Sequence, residues 1–209
     1  MGAVAAAPPA VPTLTAEFVD VTGRLCRRPL SEAWATPFEH AAPVRSLPSF
    51  RGQKNFTGLY YAATMDAHVG FESCLERDVA MTLDFDTEVV AFSSQPFCLS
   101  WPEGGRRHWH TPDFFARLED GTGVVIDVRP DDRIGPRDVR AFAVTETACE
   151  QVGWLFRRTA IPKDQQIAKP AAPQRRSNHR IWATGDHVAG RRYALRATRS
   201  LRLPRHCFG

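Results

Sequence analysis

Apolar residues at Phe71, Leu75, Val79 and Leu83 recur every four positions and predict a helix of about three turns, with Glu72 and Glu76 on one neighbouring face. The period then changes. EVVAFSS, PFCLSW, RHWHTPDFFARL and GVVIDVR are rich in β-branched and aromatic residues and predict four strands, the last two joined by a turn at EDGTG, residues 119–123. Pro136 opens a second helix at its first position, where Val139, Phe142, Ala143, Cys149 and Val152 supply an apolar face and Gly153 ends it. WLFRRT predicts one more strand. The order helix, four strands, helix, strand predicts a buried mixed sheet flanked by helices, in the α/β or α+β class.

Outside this block the pattern is weaker. Residues 15–70 mix short extended pieces with turns; Pro43, Pro48, Gly52 and Gly58 exclude a long helix, and the segment is expected to pack on a core spanning 71–160. Residues 1–14 are expected to form a disordered arm, lacking the charged start and unbroken apolar stretch of a secretory signal. No run approaches the ~18 apolar residues of a membrane span, which predicts a cytoplasmic protein without a membrane partner. KPAAPQRR is linker-like, and residues 161–209 form a basic C-terminal extension. With 209 residues and 43% hydrophobic content, the chain can bury one proper core rather than two large ones.

Charge sharpens the division. Residues 71–150 hold 8 basic against 16 acidic residues, a balance of −8, whereas residues 151–209 hold 13 against 2, a balance of +11. An acidic centre suits a divalent cation and a basic tail suits phosphate backbones, although a solvated arginine-rich tail has the same composition. Only three of the 27 basic residues are lysine (Lys54, Lys163, Lys169), so a cation completing the acidic centre is an arginine or comes from elsewhere. Cys26, Cys74, Cys98, Cys149 and Cys207 stand singly, which argues against a disulfide framework or a zinc ribbon and for small buried hydrophobes.

Three acidic residues carry the candidate chemistry. Glu76 lies on the first predicted helix, Asp113 follows Pro112 on one predicted strand, and Asp127 lies within VVIDV on the next, 14 residues later. Hard divalent cations prefer oxygen ligands brought from separate elements, and a bound Mg²⁺ both activates water and neutralises charge during phosphodiester hydrolysis. An aspartate inside a valine-rich strand is costly to bury unless a cation compensates it. The competing readings are an edge-strand Asp127 or one paired with Arg129, and an Asp113 that merely shapes a turn after proline.

Arg129 occupies the last position of the Asp-x-Arg element. Arginine stabilises developing charge but does not shuttle protons, so it either steadies a phosphate or only neutralises Asp127. Arg51 and Lys54, beside Phe56, Tyr60 and Tyr61, form a basic and aromatic patch able to meet DNA phosphates, or an ordinary packed N-terminal segment with two exposed cations, and Arg77 beside Glu76 is a further phosphate contact or a solvated helix charge. His108 and His110 alternate on a strand and share a face, as ordinary strand residues also do, and are not assigned to the site.

Pro-Asp followed by Asp-x-Arg resembles the Pro-Asp then Asp/Glu-x-Lys signature of restriction-endonuclease-like enzymes. FESCLERD, DFDTEVVAFSSQPFCL, HTPDFFARL and VVIDVRP further resemble the TnsA-like endonuclease subunit of heteromeric transposases, over about residues 43–156. The resemblance implies a restriction-endonuclease-like core and Mg²⁺-dependent nicking, with Mn²⁺ as an alternative ion, at the 5′ ends of a transposon. It implies as partners the DNA ends, a DDE-type transposase and an AAA+ regulator. The family's catalytic glutamate falls on Glu76, its metal-binding aspartate on Asp113, and its Gln/Glu-x-Lys element on Asp127 and Arg129. Arginine stands where the family has lysine, and the C-terminal portion does not carry a visible winged-helix-like domain. Two other functions share these features: a non-catalytic DNA-binding and assembly subunit, and a stand-alone restriction or repair nuclease.

Overall fold

In the computed structural model the described residues are 13–45 and 56–159, all within one compact unit. Arg51, Lys54 and the C-terminal extension lie outside them, as does the arm up to residue 12. The elements run β1 (Thr15–Val19), β2 (Leu25–Pro29), α1 (Leu30–Ala33), β3 (Gly58–Ala62), β4 (Ala67–Phe71), α2 (Cys74–Phe85) and β5 (Val89–Ser94). They continue with β6 (Cys98–Glu103), β7 (Arg106–His110), β8 (Phe114–Leu118), β9 (Gly123–Val128), α3 (Pro136–Gln151) and β10 (Leu155–Thr159). The fold is mixed α+β, with several sheets and few helices.

Among the described residues the strands divide into three sheets rather than one. Two have four strands each, in the orders β2-β1-β6-β7 and β10-β9-β8-β5, and β3-β4 is a separate two-stranded hairpin. β9 and β10 pair in parallel, with Phe156 opposite Val125, while the other pairs are antiparallel. The long predicted strand RHWHTPDFFARL is therefore two strands: β7 ends in one sheet at His110, and β8 starts in the other at Phe114. Pro112, which has no N–H to give a ladder, is fully buried at the break.

The chain makes the opposite crossing between β5 and β6. Gln95 turns there in the left-handed region (φ 48°), and its N–H donates to the Asp113 carbonyl at 2.9 Å. The two crossings are thus bonded to each other. In turn, the Gln95 carbonyl accepts from Val44 N–H at 2.9 Å, tying the N-terminal segment to the same spot.

Side chains of both large sheets and of α3 fill one core. Phe38 is its hub, with ring centroids 5.1 Å from Phe18, 4.9 Å from Phe97, 5.8 Å from Phe115 and 5.7 Å from Trp154. Leu14, at the end of the expected arm, is buried in this cluster. So β1, with Ala16 and Phe18, is an interior strand of its sheet.

Helix boundaries follow local chemistry. Phe71 ends β4 rather than opening α2, because Ser73 caps the helix: Glu76 N–H donates to Ser73 Oγ (3.1 Å), and the Ser73 hydroxyl donates to Glu76 Oε1 (2.9 Å). Glu72 therefore precedes the helix instead of sharing its face with Glu76. α3 does start at Pro136, and Gly153 (φ 73°) follows its end. Its buried stripe is Ala141, Val144, Thr145, Ala148 and Cys149, whereas the predicted contributor Val139 is exposed. Cys98 and Cys149 are buried as expected, but Cys26 is half-buried and Cys74 is exposed. No helix among the described residues is long and apolar enough to cross a membrane.

Candidate functional site

Asp113 sits at the crossing from β7 into β8, just before the strand. Continuing the register of Phe114 with Ile126 and Phe115 with Val125 brings it opposite Asp127. Its Oδ2 accepts from Val128 N–H at 2.7 Å, so the carboxylate takes the place of a ladder carbonyl and is held at the strand end. It keeps a strip of surface open to solvent but is closely surrounded by protein. Burial raises its pKa well above the usual carboxylate range, and the charges of Asp127 and Glu76 raise it further; the Val128 hydrogen bond and Arg45 act against them.

Asp127 is buried, at 2% exposure, on the face of β9 that also carries Val125 of the core. Its partner is not Arg129. His110 Nε2 lies 2.8 and 3.0 Å from the two oxygens of Asp127, which requires one proton between the groups, on the imidazole or on the carboxyl. The His110 ring meets Phe142 of α3 edge-on, so an aromatic ring lies against one side of the pair. Close by, burial foremost and then the Asp127 charge push the Cys149 thiol up to about 12, which leaves it protonated and unsuited to act as a nucleophile.

Glu76 is fixed at the start of α2. Besides the Ser73 hydroxyl, the Glu72 N–H donates to its Oε2 at 2.7 Å. Burial raises its pKa; these hydrogen bonds and Arg45 oppose the rise, and the Glu72 carboxylate adds to it. Arg45 Nη2 lies 2.7 Å from Glu72 Oε2, with the arginine side chain 18% exposed. Sequence reasoning missed both Arg45 and His110. HTPD placed His110 three residues from Asp113, but nothing local indicated that it would face Asp127 from another sheet.

Arg129 follows β9, its N–H donating to Thr159 O, and its guanidinium lies 3.2 Å from Asp138 in the first turn of α3. With its side chain 47% exposed, it is directed to the helix rather than to the three carboxylates. Arg77 Nε and Nη2 both meet Asp78 Oδ1, at 3.0 and 2.7 Å, on the surface of α2. His108 stacks on Trp101 of the neighbouring strand.

The oxygen donors of Asp113, Asp127 and Glu76 have the chemistry of a hard divalent cation site, and the mutual repulsion felt at Asp113 is what such an ion would relieve. Among the described residues, no three His, Cys, Asp or Glu side chains are gathered as ligands of one ion. Donor type and charge fit the metal; the side-chain positions, each held by its own hydrogen bonds, do not form a ligand set. No protein-family model matches the chain, and no curated protein is significantly similar to it.

Proposed function

We propose that the chain is a metal-dependent DNA endonuclease with a restriction-endonuclease-like core, nicking the 5′ ends of a transposon beside a DDE-type transposase and an AAA+ regulator. The supporting observation is Asp113: a carboxylate at a strand entrance that feels the charges of Asp127 and Glu76 from two other elements, with Arg45 acting against them among the described residues. That surplus of negative charge suits a cation rather than a polar small molecule.

Asp113, Asp127 and Glu76 are the residues that would hold Mg²⁺ or Mn²⁺, and to do so their side chains would have to leave the separate hydrogen-bonded positions they occupy. When bound, the ion supplies an activated water and neutralises charge on the phosphate. The chain's own hydrogen bonds hold the three carboxylates one by one: Val128 N–H holds Asp113, His110 meets Asp127, and Ser73 with the Glu72 N–H holds Glu76.

Thermal denaturation tests this reading first. The midpoint should climb with the logarithm of free Mg²⁺ in the millimolar range, and Asp113→Ala should remove the response. The same variant should lose nicking of a labelled transposon end in the presence of the transposase. A midpoint indifferent to Mg²⁺ and Mn²⁺ would instead support a DNA-binding and assembly subunit, a reading favoured by the Arg129 to Asp138 ion pair.

A further inference from the structure

β7 is an edge strand, and its side chains divide between two faces. Alternation sets Arg106, His108 and His110 on one of them, with about 6.6 Å of strand from each to the next. The register agrees: Arg106 lies opposite Glu103, and His108 lies opposite Trp101, on whose ring it stacks. Arg107 falls on the other face, where its guanidinium donates to Ser100 Oγ at 3.2 Å. The row has a direction. Arg106 and His108 are exposed, whereas His110 is half-buried and meets Asp127, so nitrogen-bearing side chains lead from solvent to the acidic site.

α3 extends the same surface. Arg140 holds Glu103 through both Nε and Nη2, and Trp101 Nε1 donates to that carboxylate at 3.2 Å. The acid opposite Arg106 is thereby neutralised. Arg137 precedes Arg140 by three residues, which makes the two neighbours on the helix surface. Arg106 and Arg137 are both exposed, and neither makes an ion pair or side-chain hydrogen bond among the described residues. Arg77, Arg129 and Arg158, by contrast, are each tied to an aspartate.

We propose that Arg106, His108 and Arg137 form a docking surface for the phosphate backbone of duplex DNA, leading a strand toward the end of β7 that carries His110 and Asp127. Charge complementarity selects the partner. Two unpaired guanidinium groups match phosphate oxygens, each able to give paired N–H bonds, and the imidazole adds a further N–H donor. Their spacing along β7 is close to that of successive phosphates in one strand. That the docked strand is the one cut rests on the endonuclease reading; the docking itself does not.

Fluorescence anisotropy of a labelled DNA duplex, titrated with the full chain in metal-free buffer at several salt concentrations, tests the surface. Arg106→Gln and Arg137→Gln should each weaken binding roughly threefold to tenfold at low salt, and each should flatten the slope of log K against log salt by about 1. Arg106→Lys keeps the charge and should keep the wild-type slope, which separates loss of a phosphate contact from loss of the fold. Arg107→Gln and Arg158→Gln should bind as wild type does.

Unchanged affinity and slope in both Arg106→Gln and Arg137→Gln, or an equal loss in Arg107→Gln, overturns the surface. Intact DNA binding with lost binding to polyglutamate overturns it too, and makes the partner an acidic protein. Weakened DNA binding by the two variants, when wild type shows no nicking beside the transposase, upholds the surface and rejects the endonuclease reading. Nicking by wild type with DNA binding untouched in both variants does the reverse.

Discussion

Phe97 and Gln95 are two residues apart yet belong to opposite physical regimes. Phe97 packs against Phe38 and Trp154 in the buried aromatic cluster. Gln95 turns with positive φ at the Asp113 crossing, among unpartnered polar atoms and like-charged carboxylates. The first region supplies stability, and the second carries strain and electrostatic tension that the first must outweigh. Proteins concentrate such violations of packing and pairing at functional sites, which is why the second region is the one to which chemistry is assigned.

The contrast can be broken most forcefully from the core side. Phe38→Ala should cost about 3–5 kcal/mol, because the cavity would be shared by four aromatic neighbours that cannot all move inward. Urea denaturation measures this. A loss near that of a surface substitution would mean that the cluster is not where the fold is held.

Asp113→Asn should act in the opposite sense, with a smaller effect. A carboxyl whose folded pKa lies above its ordinary value binds its proton more tightly in the folded chain. Its favourable contribution is complete below pH 3.8 and is lost as pH rises through the folded value. In metal-free buffer, wild type should therefore lose stability relative to Asp113→Asn as the pH climbs from 3.8 toward neutrality. Parallel stability curves for the two proteins would erase the tension attributed to this region.

Arg129→Gln should have the least effect, within about 1 kcal/mol by the same denaturation assay, since its ion pair with Asp138 is half exposed. A larger loss would sharpen the comparison by adding Arg129 to the tense region.

Much of the local structure was legible. The helix at Pro136, the strands at EVVAFSS and GVVIDV, and the turn at EDGTG are marked by short-range preferences that the fold does not override. The start of α2 was equally readable in principle, as Ser73 and Glu76 have capping-box spacing, but the four-residue apolar repeat extended the prediction to Phe71. For RHWHTPDFFARL, β propensity was right at both ends and silent about the sheet change in the middle. Proline marked the break without saying where the chain went next.

The types of the main elements, their order, and the three carboxylates on separate segments can be read from the chain's local patterns alone. That β7 and β8 lie in different sheets, that His110 rather than Arg129 meets Asp127, and that Arg45 pairs with Glu72 follow from the packing of distant segments. Helix periods, caps and turns act over a few residues and are written in neighbouring letters. An ion pair spanning 27 residues, or a hydrogen bond between two sheet crossings, depends on how distant surfaces pack, and no local pattern encodes it.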